Sequence, residues 1–136
     1  MKEFRLEIVT PSKSIYDDMV KSVTFPGEMG EFQVLFNHAG MISLIAIGKI
    51  KIEKENGSKT FFATSGGTVE VKDNKVLYLA ETAEPAEVID LERAQNALNR
   101  AKERMSSENK QDVDFARAES SLLRAMNRIK VVDSSR

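Results

Sequence analysis

The chain has 136 residues, 41% of them hydrophobic and 30% charged, with a formal net charge of −1 and a pI near 5.9. That length holds one compact domain with a short appendage and leaves no room for a second full-sized core, and the composition is neither disordered nor fibrous. A balanced charge gives no broad positive field for nucleic acid or an anionic bilayer, and the absence of cysteine excludes disulfides, thiolate catalysis and Cys-based metal sites.

Up to about residue 86 the apolar residues alternate or form short β-branched runs, punctuated by glycine or Asn-Gly about every ten residues. Many short strands at that spacing indicate a sandwich or barrel. Phe4-Arg5-Leu6-Glu7-Ile8 alternates, and Lys49-Ile50-Lys51-Ile52-Glu53 carries the period of two of a half-buried strand. The run Met41-Ile42-Ser43-Leu44-Ile45-Ala46-Ile47 is about a third of the roughly 20 residues a membrane helix needs. Lys2, Glu3, Arg5 and Glu7 interrupt the start where a signal peptide would be apolar. No direct membrane insertion is expected, and the chain reads as cytosolic or peripheral.

Asn56-Gly57 precedes Thr60-Phe61-Phe62-Ala63-Thr64 and predicts a type I′ hairpin turn, whose two central residues need positive φ. Asp73-Asn74 separates Thr68-Val69-Glu70-Val71 from Val76-Leu77-Tyr78-Leu79-Ala80 in the same manner. Gly66-Gly67 follows a strand but opens no helix, which suits a bulge or tight corner and not a phosphate loop.

Beyond Pro85 glycine vanishes and alanine, leucine and arginine rise, so the period lengthens to about 3.6. One helix is expected from about Asp90 to Met105, with Ala94, Leu98, Ala101 and Met105 on its apolar stripe. A second is expected from about Val113 to Ile129, capped by Asp112, with Phe115, Ala118, Leu122, Met126 and Ile129 on its stripe. The short polar link Ser106 to Gln111 turns the two back on each other as an antiparallel pair. The domains therefore read as 1–86 and 87–136. The stripe is rich in alanine and buries little area, so docked and extended arrangements of the pair should differ by little.

No catalytic residue is expected. His38 is the only histidine, with no ligand cluster or nucleophile spaced around it, and reads as a loop residue with a structural or contact role. The carboxylates are abundant but scattered, without the paired signature of a glycosidase-like cleft. No metal site is expected either. The arginines are different. Lysine and arginine divide equally at residue 87, yet seven of the later ten are arginine against one of the earlier ten. A guanidinium is a planar fork suited to carboxylate and phosphate. At about 100° per residue, Arg93, Arg100 and Arg104 fall to one side of the first stripe, and Arg117, Arg124 and Arg128 to the matching side of the second. Folded back, the pair gains an arginine edge. Arg93 then lies opposite Arg128 and Arg100 near Arg124, toward the sandwich, where Glu84, Glu87, Asp90, Glu92 or a phosphate ligand could offset the charge.

Several separate motifs resemble the epsilon subunit family of rotary ATP synthases. They are Pro26-Gly27-Glu28-Met29-Gly30-Glu31-Phe32, His38-Ala39, Gly48, Ser65-Gly66-Gly67-Thr68-Val69-Glu70-Val71, Ile89-Asp90-Leu91-Glu92-Arg93-Ala94 and Arg124-Ala125-Met126-Asn127-Arg128. The resemblance covers essentially the whole chain. It implies a flattened antiparallel β-sandwich of about ten strands followed by an antiparallel two-helix hairpin, in a non-catalytic subunit of the central stalk. The implied partners are the gamma subunit, the polar loops of the c-ring, and the catalytic alpha and beta subunits when the hairpin extends. Glu31, Phe32 and His38 match positions near the rotor contacts. The extended hairpin inhibits ATP hydrolysis in the family, and in some members the folded hairpin binds ATP. Carried over, the candidate ATP residues are Glu84, Ile89, Asp90, Arg93, Ala94, Arg100, Arg124 and Arg128. No resident cofactor is implied, and ATP enters as a regulatory ligand. The implied location is the cytoplasmic face of a bacterial inner membrane or a plastid thylakoid. A stand-alone ATP-binding sensor is the competing expectation. One departure stands out: the family's Leu-Pro-Gly-His-Ala-Pro loop is Leu35-Phe36-Asn37-His38-Ala39-Gly40 here, without either proline.

Overall fold

In the computed structural model, residues 2–106 and 112–136 are described, the side chains of 112–114 excepted. Among them eight strands precede two helices. The strands are β1 (Phe4–Val9), β2 (Ser14–Val20), β3 (Ser22–Gly27), β4 (Gly30–Leu35), β5 (Met41–Ile45), β6 (Gly48–Glu53), β7 (Lys59–Lys72) and β8 (Lys75–Pro85). A 3₁₀ turn at Ala86–Val88 leads into α1 (Leu91–Met105), and α2 spans Asp112–Ser135.

Alternation sets the core. Along β1 Phe4, Leu6 and Ile8 point inward and are buried. The strands run in the order β2-β1-β8-β7-β5-β3-β4, with β6 pairing both β3 and β7. The sheet thus doubles over and encloses a cluster that includes Phe25, Ile50, Ile52, Phe62 and Tyr78, with no described helix residue in it. The sandwich closes without help from the helices.

The strand count is eight, not about ten; β7 alone runs for 14 residues, continuing through the two glycines. The sandwich is also not wholly antiparallel: β1 pairs β8 in parallel, Arg5 beside Lys75 through Val9 beside Leu79. A parallel pair needs a long crossover; here the crossover is six intervening strands, which leave no local signature.

Turn chemistry is divided. At Asp73-Asn74 both residues have positive φ, 51° and 59°, between the paired Lys72 and Lys75, as a type I′ turn requires. At Asn56-Gly57 only Gly57 has positive φ. Gly57 N donates to Lys54 O at 2.9 Å and Lys54 N to Ser58 O at 3.0 Å, so this hairpin uses the longer loop in which a left-handed glycine follows an ordinary turn.

Gly66-Gly67 forms a bulge, as expected. Pairing to β8 shifts between Thr64 and Gly66 and again between Gly66 and Gly67, and β7 exchanges β6 for β5 across the same residues, the first ladder ending at Thr64 and the second starting at Gly67. A Cβ at Gly67 would fall on the Leu79 carbonyl. The Thr64 hydroxyl braces the corner, lying 2.6 Å from the Tyr78 hydroxyl, donating to Thr82 O at 2.8 Å and accepting from Gly66 N at 3.2 Å.

The helix ends follow from their caps. Asp90 accepts from Arg93 N at 3.1 Å, so it is the N-cap and α1 starts one residue later. Asp112 is the first residue of α2; its side chain, and with it the expected cap, lies outside the described residues, as does most of the polar link. Ala94 and Ala101 of α1 and Ala118 and Ala125 of α2 are buried at intervals of seven, which lets the helices approach through small side chains. Met126, expected on the stripe, is 45% exposed, because the stripe runs through Ala118, Leu122, Ala125 and Ile129 and leaves Met126 about 100° aside. The second helix also continues six residues past Ile129. The reason is a docking contact: Val131 is fully buried in a satellite cluster with Ala63 and Ala86, flanked by Phe61 and Ile89.

Candidate functional site at the seam between hairpin and sandwich

Where α2 crosses the end of β8, Arg128 Nε donates to Glu84 Oε1 at 2.7 Å, with both side chains a little over a third exposed. On one side of this pair lies a cleft of about 220 Å³ lined by Glu84, Val88, Ile89, Asp90, Arg93, Ala94 and Arg128. On the other lies a pocket of about 10 Å³, one water in size, lined by Ala63, Thr64, Ser65, Thr82, Glu84, Arg124, Asn127 and Arg128. Arg93 and Ala94, in the first turn of α1, thus face Arg128 near the end of α2, as an antiparallel pair requires.

Six of the eight candidate ATP residues line the larger cleft: Glu84, Ile89, Asp90, Arg93, Ala94 and Arg128. Arg124 lines the smaller pocket and donates from Nη2 to Ser121 Oγ at 3.3 Å. Arg100 is exposed and lines neither. It follows Arg93 by seven residues, about 10 Å along α1, which takes it away from the seam. The crowding of four guanidinium groups expected from helical geometry is a facing pair, Arg93 and Arg128, with Glu84 between the helices and the sheet. Arg104 and Arg117 are exposed as well. The cleft sets the guanidinium groups of Arg93 and Arg128 beside the carboxylates of Glu84 and Asp90 and the apolar side chains of Ile89 and Val88, the latter 66% exposed.

The candidate rotor residues lie apart from this seam. Glu31 is exposed on β4 opposite Pro26 of β3. Phe32 is half-buried, its ring 5.8 Å from that of Phe25, so most of its contact is with the core. His38 donates Nδ1–H to Ala39 O at 2.8 Å in the loop after β4. That loop lacks prolines, but Asn37 N donates to Asn74 Oδ1 at 2.7 Å and Asn74 Nδ2 to Asn37 Oδ1 at 2.9 Å. This reciprocal clasp ties the loop to the β7–β8 turn.

One surface escaped the sequence reading. Ile42, Leu44 and Leu79 are 72%, 57% and 53% exposed. Leu44 lies opposite Thr68, and Thr68 opposite Leu79, so they share the outer face of the sheet. The signal was present in Met41 to Ile45, which is apolar at both parities: Met41 and Ile45 turn inward, leaving Ile42 and Leu44 outside.

Residues 3–86 match the family model for the ATP synthase delta/epsilon chain β-sandwich domain, and residues 87–133 match that for its long α-helix domain. The chain belongs to the ATP synthase delta/epsilon family. It is 46% identical over 130 residues to an ATP synthase epsilon chain of Nitratidesulfovibrio vulgaris, covering 96% of each. It is 40% identical over 133 residues to that of Desulforamulus reducens, covering 97% of this chain and 98% of the relative. Among solved structures, it superposes on a chain of the Euglena gracilis mitochondrial ATP synthase, described as OSCP/F1/c-ring, with a TM-score of 0.83 and 26% identity, covering 92% of this chain and 78% of that one. A chain of the Tetrahymena thermophila mitochondrial ATP synthase central stalk and c-ring shares the fold, with a TM-score of 0.56 at 16% identity. Both the sandwich and the helices are thus family elements. Among the described residues no helix is long and apolar enough to cross a membrane, and no group of His, Cys, Asp or Glu is placed to hold a metal.

Proposed function

We propose that this chain is the epsilon subunit of the central stalk of a rotary, proton-translocating ATP synthase, without catalysis of its own, and that its helical hairpin restrains ATP hydrolysis when it leaves the sandwich. The name shared by its relatives supports the subunit assignment, and the neighbours drawn from F1/c-ring and central-stalk assemblies support the stalk. In this reading the apolar face at Ile42, Leu44 and Leu79 packs on the gamma subunit, and Glu31, Phe32 and His38 lie toward the polar loops of the c-ring. The subunit is then peripheral, on the cytoplasmic face of the bacterial inner membrane.

The observation that carries the regulatory part is the separation of the two cores. The sandwich cluster contains no described residue of either helix, and the hairpin docks through Val131, the Glu84–Arg128 pair and a few polar contacts. A part-exposed ion pair contributes on the order of 1 kcal/mol or less, so a partner or ligand of ordinary affinity can set the hairpin's posture. ATP is the regulatory ligand of this reading, held at the cleft between Arg93 and Arg128 in the docked state. Binding there necessarily opposes release. Deleting residues 88–136 should leave assembly and proton coupling in place and raise ATP hydrolysis by the complex several-fold. Unchanged hydrolysis would remove the inhibitory role.

A further inference from the structure

The geometry points to Asn127 as the positioning residue that seats the hairpin on the sandwich and thereby sets Arg128 and Arg124 at the seam. Its Nδ2 donates to Gly48 O at 2.7 Å and reaches Thr64 O at 3.5 Å. Gly48 and Thr64 are the last pair of the β6–β7 ladder. Immediately beyond them β7 bulges at Gly66-Gly67 and takes β5 as its partner. The carbonyls at this strand exchange are fixed from below: the Thr64 hydroxyl is held by Tyr78 and Thr82, and a Cβ at Gly48 would collide with Pro26. The bulge therefore presents a rigid receptor of two acceptors, and the Asn127 amide answers it with the two N–H donors of its Nδ2, without a charge.

Register gives this contact its reach. Asn127 is half-buried at the seam, between Arg124 and Arg128, so fixing its amide fixes the rotation of α2. That rotation brings Arg128 to Glu84 and Val131 to the pocket formed by Ala63 and Ala86. The ion pair is partly open to water and screened, whereas the amide contact is directional and matched to a fixed partner. The receptor is the carbonyl of Gly48 together with that of Thr64, so one motif singled out in the sequence, Gly48, and the residue directly before another, Ser65-Gly66-Gly67, have a task toward the hairpin as well as the corner. The inference rests on the proposed function only for its consequence in the enzyme complex; docking itself is measured on the free chain.

The test is ¹⁵N relaxation on the free, full-length protein without nucleotide, for wild type, Asn127→Asp, Asn127→Ala and Arg128→Ala. Asn127→Asp keeps the shape and sets a carboxylate against two carbonyls, so the docking equilibrium constant should fall about tenfold or more. The amides of α1 and α2 then tumble apart from a sandwich whose own resonances hold their positions. Asn127→Ala should release the hairpin less completely, and Arg128→Ala should leave it docked. Hairpin relaxation in Asn127→Asp equal to wild type would overturn the proposal, as would release by Arg128→Ala as complete as by Asn127→Asp. Collapse of the sandwich spectrum in Asn127→Asp would overturn it too, because the proposed contact lies outside the main core. An unchanged hydrolysis rate in the truncated complex, with Asn127→Asp still releasing the free hairpin, would instead sink the inhibitory reading alone.

Discussion

Arg128 and Glu84 meet at 2.7 Å and together form the wall shared by the two cavities at the seam. The pair therefore does two things: it ties α2 to β8, and it keeps the larger cleft at about 220 Å³, below the roughly 300 to 1,000 Å³ usual for small-molecule sites. A polyphosphate competing with Glu84 for Arg128 would join the two spaces and gain Arg124 as a further donor. Calorimetry of the free chain should detect ATP. In an Arg93→Ala and Arg128→Ala double variant the affinity should fall about 100-fold or more, since hydrogen bonds to charged groups contribute on the order of 1.5 to 3 kcal/mol each. Equal binding by the double variant would remove the cleft as the site. Absence of wild-type binding up to about 1 mM, near −4 kcal/mol, would remove ATP as the ligand.

The apolar half of the docking contact is Val131, fully buried between Ala63 and Ala86. Val131→Ala deletes two carbon groups there and should cost about 2 kcal/mol. Because the cluster is separate from the sandwich core, the cost should appear as hairpin release and not as unfolding. Amide hydrogen exchange in α1 and α2 is expected to accelerate about 30-fold, the equivalent of 2 kcal/mol, with β1 to β8 unaffected. Uniform acceleration across both parts would show that the two units open together.

Tyr78 makes an alkaline prediction. Burial pushes its hydroxyl up to about 12, against a smaller lowering by its hydrogen bond to Thr64. The folded value lies above the unfolded value near 10, so the contribution is fully present below pH 10 and is lost as pH rises toward 12. The loss amounts to about 2 to 3 kcal/mol. Denaturant melts of wild type and Tyr78→Phe should converge over that interval. Parallel curves across it would show that Tyr78 does not stay neutral in the fold.

Much of this architecture is legible in the chain itself. The change of period at Pro85 separates sheet from helices because strand and helix side chains repeat at 2 and 3.6 residues whatever they later pack against. Asp90 as the opening of α1, Asp73-Asn74 as a tight turn and Gly66-Gly67 as a bulge are likewise local, decided by caps and by which residues accept positive φ. The meeting of Arg93 with Arg128 followed from helical geometry alone once the helices were folded back.

What was missed is non-local. Past Ile129 the stripe carries on to Val132, which is buried, but Val131 lies beside that stripe and finds a socket built from β7 and the turn after β8. Met126 and Ala125 compete for the stripe by about 100°, and only packing against Ala-lined α1 decides between them. Arg100 shares a helix face with Arg93 but lies two turns farther from the seam, a difference that angular reckoning does not register.

The residues by themselves determined the two-part plan, the turn sites, the small side chains of the helical pair and the placing of guanidinium groups along one edge, because each depends on neighbours within a few positions. The tertiary structure alone decided the parallel union of β1 with β8, the strand exchange on β7, the outward turn of Ile42 and Leu44, and the seating of Asn127 on the carbonyls of Gly48 and Thr64. Those contacts join residues as many as 79 positions apart, and closing such distances has no trace in local pattern; it is set by which surfaces remain unburied once the strands have paired.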